Sequence, residues 1–252
     1  MSGHNKWASI KHKKAATDIK KGKVFTKIIR EIIIATKESG IQIENNARLR
    51  KAIVDAKEVN MPQDNIKKAI QRGSGELHGA IYEEVVYEGY GPAGVALIVE
   101  TTTDNKNRTV SEIRKMFSNH KGSLGEAGCV GWMFNRKGYI AVKKAGTDEE
   151  TVMNTVLEAG AEDFKNEADS DIYEIITNFS NLETTKKSLK EKNITVAFSE
   201  ISMVSQTQIA LSGDDAKCML KLMDSLEEHE DVKSVYANFD ISSEEMKKVG
   251  KQ

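Results

Sequence analysis

The chain has 252 residues, 30% of them Asp, Glu, Lys or Arg, and a formal charge of −1. That length admits one large domain or two to three small ones, and no stretch approaches the run of about 20 apolar residues that a membrane-spanning helix requires. The small total conceals an asymmetry: residues 1–30 hold nine Lys and Arg against one Asp, a net +8, so the remainder carries −9. A basic end on an acidic body points to a polyanionic partner and away from a membrane-embedded protein.

Residues 1–22, MSGHNKWASIKHKKAATDIKKG, have no apolar stripe and read as a basic arm. The arm lacks the apolar core of a secretory signal, and Cys129 and Cys218 make no metal or redox spacing, which suits a reducing cytoplasm. From Lys23 onward Phe25, Ile28, Ile29, Ile32 and Ile33 recur at helical spacing, and Ser39-Gly40 supplies the stop. A second helix starts near Asn46, with Leu49, Ala52, Ile53 and Ala56 inward and Arg48 and Lys51 outward. Pro62 opens a third helix at its first turn, with Ile66, Ala69 and Ile70 inside and Gly73 as its end. Three matched stripes predict a helical bundle over 23–76.

After a glycine linker to Gly79 the pattern changes to α+β. Tyr82–Tyr87 and Val95–Thr101 read as strands, 109–119 as a helix, and Cys129–Phe134 as a strand with Trp132 and Phe134 buried on one face. Cys129 reads as a small core residue of that strand. From Gly138 a strand, a helix at 148–159, strands near 162–167 and 172–177, a helix at 182–191 and a strand at 194–199 follow the split β-α-β-β-α-β order. A strand at 207–211, a helix at 213–227 and a strand at 232–239 remain. They predict that a ferredoxin-like domain at 137–204 is inserted into another made of 80–136 plus 205–241, with a polar tail at 242–252.

The arm and the bundle carry the first candidate site. Lys6, Lys11, Lys13, Lys14, Lys20, Lys21, Lys23, Lys27, Arg30, Arg48 and Lys51 are expected to meet phosphates as cations. His12 adds a polar ring, and Trp7 either stacks on a base or docks the arm onto the bundle. The second candidate is Thr101–Thr109, where Asp104 or Asn105 can cap a helix and Asn105, Asn107 and Arg108 can direct hydrogen bonds at phosphate or base edges. Arg108 equally fits a surface ion pair. Gly89-Tyr-Gly-Pro-Ala-Gly94 matches a dinucleotide fingerprint, but a strand follows it where that motif needs a helix, so a hairpin loop is expected. Gly122–Gly128 reads as a flexible connection. Paired acids such as Glu227-Glu228 read as solvent-facing charge. The five histidines have no metal spacing, and neither a catalytic grouping nor a cofactor is indicated.

Four stretches resemble the YebC/PmpR family of regulators: GHNKWASIKHKKAATDIKKGKVFTKIIREI, NARLRKAIVDAKEVNMPQDNI, GYGPAGVALIVETTTDNKNRT and GSLGEAGCVGWMFNRKG. They cover most of residues 3–138. The resemblance implies a three-domain, non-enzymatic, cytoplasmic protein that binds DNA as a transcriptional regulator. Members that look like translational activators imply the alternative, a factor contacting ribosomal or other structured RNA. The 103–109 loop gains most of its functional weight from this resemblance. Lysine–phosphate contacts do not separate DNA from RNA.

Overall fold

The structure, a computed structural model, describes residues 21–168, 170–242 and 245. Lys6, Trp7, Lys11, His12, Lys13, Lys14 and Lys20 lie outside the described residues, as does the side chain of Lys21 and nearly all of the expected tail. The described chain forms two compact units, one from residues 21–130 and 213–235, the other from 131–212 and 236 onward.

The first unit begins with α1 (Lys21–Ser39), α2 (Ala47–Glu58) and α3 (Gln63–Ser74). Their stripes close on one another as the periodicity requires. Ile32, Ile33 and Ala35 of α1 pack with Leu49, Ala52 and Ala56 of α2 and with Met61, Ile66 and Ala69. Each fully buried Ile or Leu contributes about 1.5–3 kcal/mol. Asn46 caps α2 by accepting from the Leu49 N–H at 2.9 Å, and its amide donates to the Ala35 and Gly40 carbonyls at 2.7 and 2.8 Å. One side chain thus joins the end of α1 to the start of α2.

Gly73 is not the stop of α3. The helix runs on to Ser74, and Gly75 ends it at φ +85°. A Cβ on Gly73 would stand 2.6 Å from Thr36 Cβ and 2.7 Å from the Ile33 carbonyl, so this glycine is where α3 crosses α1 closely.

The unit continues with β1 (Glu83–Tyr90), β2 (Ala96–Thr103), α4 (Lys106–Asn119) and the short β3 (Ser123–Leu124). The segment 131–212 intervenes before α7 (Gly213–Glu228) and β9 (Val232–Ala237). The sheet order is β3-β1-β2-β9. β2 is central and buried along nearly its whole length, hence its unbroken Ala-Leu-Ile-Val run. Ile113 and Phe117 of α4 and Met219, Leu222, Met223 and Leu226 of α7 are buried as well. The segment 89–94 is the hairpin turn between β1 and β2, with the Gly91 N–H donating to the Val95 carbonyl at 2.8 Å.

The second unit holds β4 (Phe134–Lys143), α5 (Glu149–Glu158), β5 (Ala161–Lys165), β6 (Ile172–Asn178), α6 (Leu182–Glu191) and β7 (Val196–Ser205). Its sheet order, β5-β6-β4-β7 with every neighbour antiparallel, is that of the split β-α-β-β-α-β arrangement. Ile140, Val142, Val152, Val156, Ile175 and Leu189 form one core cluster, and Tyr139, Ala141 and Ile172 a second.

Two expectations are corrected here. Residues 207–211 do not join the sheet of β1 and β2. Instead β8 (Ile209–Leu211) pairs in parallel with β10 (Phe239–Ile241). Cys129–Phe134 is not a strand. Gly131–Met133 is a 3₁₀ turn, β4 starts at Phe134, and Trp132 is 73% exposed while Phe134 is buried. The backbone ahead of that turn is already engaged. Glu88 accepts from the Gly128 and Val130 N–H groups at 2.9 and 2.8 Å, and the Tyr90 hydroxyl donates to the Cys129 carbonyl at 3.1 Å. Groups bonded this way cannot also pair in a ladder, and Cys129 lies half-buried in a clamped loop. Among the described residues no helix is long and apolar enough to cross a membrane.

Candidate nucleic-acid interface

The two candidate sites meet within the first unit, at a residue neither included. Asp231 lies just before β9, with its side chain 2% exposed. Arg30 Nη1 donates to Oδ1 at 2.7 Å, and Arg108 Nη2 donates to Oδ2 at 2.8 Å. The Thr109 hydroxyl donates to Oδ2 at 2.6 Å, with the Thr103 hydroxyl 3.2 Å from the same oxygen. The Asp231 N–H donates to His229 Nδ1 at 3.1 Å, and its carbonyl accepts from the Thr102 N–H at 2.7 Å. Every polar group of the residue is engaged. Burial alone would raise the carboxyl's pKa, but the Thr109 and Arg108 hydrogen bonds and the Arg30 and Arg108 charges outweigh it and hold the group below the usual range.

This node sets the cations of α1. Arg30 is buried, donates also to the Glu230 carbonyl at 2.5 Å, and lies over the Tyr82 ring at 5.3 Å. Lys27 Nζ donates to the Glu227 carbonyl at 2.6 Å. The basic face of α1 therefore rests on residues 227–231, and Lys23 is exposed beyond it. Residues 227–231 form the docking strip for that helix, through the Glu227 and Glu230 carbonyls and the Asp231 carboxylate, while Glu228 is exposed. Arg108 also reaches Asp104 at 2.8 Å, and hydrogen bonds to Asp231 and Asp104 raise its pKa further above the range in which it could lose its charge.

Asn105 is the cap of α4, accepting from the Arg108 N–H at 3.1 Å. Asn107 is exposed on the first turn of the helix. Lys51 is exposed and pairs with Asp55 at 2.8 Å. Arg48 does not face out freely. It binds Glu31 at 2.7 Å, Glu38 at 2.7 Å and Glu84 at 2.5 Å. Burial would raise the Glu31 and Glu84 pKa values, but the hydrogen bonds from Arg48 and the Lys233 charge lower both on balance.

A cleft of about 620 Å³ adjoins the node, lined by Lys23, Arg30, Arg108, Glu112 and the 228–231 strip, among others. Glu112, His229 and Asp231 bring ligand atoms within 4.8 Å of one another there. The chemistry does not favour a metal, because a cation on Asp231 would face two guanidinium groups. His229 Nδ1 accepts from the Asp231 N–H, which leaves Nε2 to donate to Glu112 at 2.7 Å.

Residues 5–76 match the family defined as the TACO1/YebC protein N-terminal domain, and residues 82–239 match its second and third domain. The chain belongs to the TACO1/YebC family. It is 80% identical over 249 residues, 99% of each chain, to a "Probable transcriptional regulatory protein" of Endomicrobium trichonymphae. A protein of the same name from Elusimicrobium minutum is 50% identical over the full length of both chains. Among solved structures, a conserved hypothetical protein of Aquifex aeolicus matches with a TM-score of 0.78 at 43% identity, covering 91% of this chain and 94% of that one.

In this TACO1/YebC chain the sequence located the cations and missed the acid that positions them. Asp231 is 201 residues from Arg30 and 123 from Arg108, beyond any local pattern. One signal was present: an acid directly before the Val232 strand, where an apolar or turn residue would serve as well.

Proposed function

We propose that the protein is a nucleic-acid-binding regulator of gene expression, with the basic arm as its main contact and the first unit as the base that holds the arm. The observation that carries this reading is the segregation of charge, +8 over residues 1–30 in a chain of −1. The internal bonding of Lys27, Arg30 and Arg48 sharpens it: these three are engaged within the fold, which shifts the expected phosphate contacts toward Lys23 and the lysines of the arm, while Arg30 aims the helix that follows the arm. Asn105, Asn107 and Arg108 add a directed contact beside the same node. A role in transcriptional regulation is supported by the names of the relatives, and DNA in the cytoplasm is the target that role would imply.

A second reading is a ribosome-associated translation factor. The observation favouring it is that the α1 stripe of Lys27 and Arg30 lies against 227–231, so this helix does not offer those side chains to a DNA groove. Lysines on an arm recognise charge and not base identity.

The test compares the full chain with one starting at Lys21. The truncated protein is expected to keep its thermal midpoint and lose most affinity for nucleic acid. For the full chain, log K against log salt should slope by roughly −4 to −5 if five or six lysines meet phosphates. A slope near zero, or full affinity without the arm, would overturn the reading. Cosedimentation with ribosomes, set against a gel shift on a promoter fragment and its scrambled control, separates the two targets.

A further inference from the structure

Most large apolar side chains of the second unit are buried. Tyr139 and Phe198 pack at 5.4 Å between ring centroids, and Phe164 and Tyr173 at 5.3 Å. Two aromatic side chains differ. Trp132 is 73% exposed and Phe179 47%, and they are the aromatic members among the exposed large hydrophobic residues described.

They lie at one end of one sheet. Trp132 sits in the 3₁₀ turn that leads into β4, and Phe179 opens the turn that follows β6. β4 and β6 run antiparallel with Lys137 opposite Asn178, so Phe179 comes across from Arg136. The Arg136 guanidinium carbon lies 5.5 Å from the Phe179 ring centroid, and the Arg136 side chain is exposed. Trp132 is four residues up the chain from Arg136, within about 14 Å even for a fully extended backbone. That end of the sheet carries the Arg136 guanidinium against the Phe179 ring, with the Trp132 indole exposed in the turn four residues before Arg136. The charge setting matches. Residues 131–144 contain Arg136, Lys137, Lys143 and Lys144 and no acid, although residues 77–252 hold 30 acids against 20 Lys and Arg.

We propose that Trp132, Arg136 and Phe179 form a stacking platform for one or two unpaired nucleobases, with Arg136 placed for the phosphate between them. The inference rests on the nucleic-acid reading above and deepens it. A basic arm binds any polyanion, whereas exposed rings bind bases that have left a duplex. The arm supplies affinity and the platform supplies preference for single-stranded or looped nucleic acid. A hydrophobic pocket on a partner protein would fill the indole equally well, but it gives no reason for an exposed guanidinium on the second ring in an acid-free run.

The experiment uses the full chain and a labelled mixed-sequence RNA dodecamer, single-stranded and as a duplex, with DNA of the same sequence in parallel. Trp132→Ala and Phe179→Ala should each weaken single-strand binding roughly 5- to 150-fold, the equivalent of one stacked base. Duplex binding should change by less than about twofold, and Trp132→Phe should restore part of the loss. Thermal midpoints report whether each variant folds. In a Trp7→Phe background Trp132 is the sole tryptophan, and its emission should be quenched by the unlabelled single strand. If wild type binds both forms and the alanine variants bind the single strand equally well, the platform is overturned and the arm reading stands. If wild type binds no nucleic acid, both fall. Loss of a copurifying protein on Trp132→Ala, with oligonucleotide binding intact, would make the surface a protein contact and overturn the proposal.

Discussion

Asp231 and Arg48 are mirror images. At Asp231 one carboxylate serves two arginines and a threonine, and at Arg48 one guanidinium serves three carboxylates. Both link the helical bundle to the sheet of the first unit, Asp231 by gripping α1 from the start of β9, Arg48 by reaching Glu84 on β1. They differ in water. The Asp231 side chain is 2% exposed, that of Arg48 27%. In a buried site removing one partner strands the others without solvent. In a wet site the orphans rehydrate and salt screens what remains. Similar numbers of ion pairs therefore carry different weight.

The largest expected effect tests that claim directly. Asp231→Asn leaves Arg30 buried beside a neutral amide and should cost about 3–5 kcal/mol in urea unfolding. Because the Asp231 carboxyl is held below its ordinary value, its contribution is fully present above the unfolded value of about 3.9 and is lost as pH falls through the lower folded one. Wild type and Asp231→Asn should thus begin to converge in stability only below about pH 4 and meet once pH has fallen through the lower folded value. A loss under 1 kcal/mol at neutral pH would mean the node does not anchor α1.

Gly73→Ala comes next. The added methyl meets Thr36 Cβ and the Ile33 carbonyl, and α1 and α3 must separate, at about 1–3 kcal/mol. A neutral result would show that the bundle can open there without the Asp231 node.

Arg48→Ala should have the smallest effect, about 1 kcal/mol or less at low ionic strength and less still in 0.5 M salt. A loss as large as that of Asp231→Asn, insensitive to salt, would erase the distinction between the two sites.

What the sequence disclosed follows the same line between local and distant causes. The stripe Phe25–Ile33 and the β-α-β-β-α-β order were legible because periodicity is written in neighbouring residues. A cap at Asp104 or Asn105 was legible for the same reason, and the structure gives that place to Asn105. Gly73 was misread because a glycine that ends a helix and one that admits another helix look alike in one dimension. The 129–134 strand was misread because aromatic and β-branched composition cannot reveal that Glu88 and Tyr90, some 40 positions earlier, already hold that backbone. Asp231 was not singled out at all, because its partners are defined by the fold and not by adjacency. The cations were visible and their bonding was not, so Arg30 and Arg48 read as phosphate contacts while the structure occupies them internally.

The interrupted sheet also has a consequence in time. β9 and Asp231 follow Arg108 by 123 residues. At ordinary elongation rates, about 5–20 residues per second, the acid emerges roughly 6–25 s after the loop it will neutralise. During that interval the nascent bundle and β1–β2 exist with Arg30 lacking its carboxylate, Arg108 paired with Asp104 alone and one edge of β2 open, while β4 to β7 can complete their own sheet. The first unit to start folding is the last to close, and the nascent chain must be kept from strand-pairing with a neighbour until residue 231 arrives.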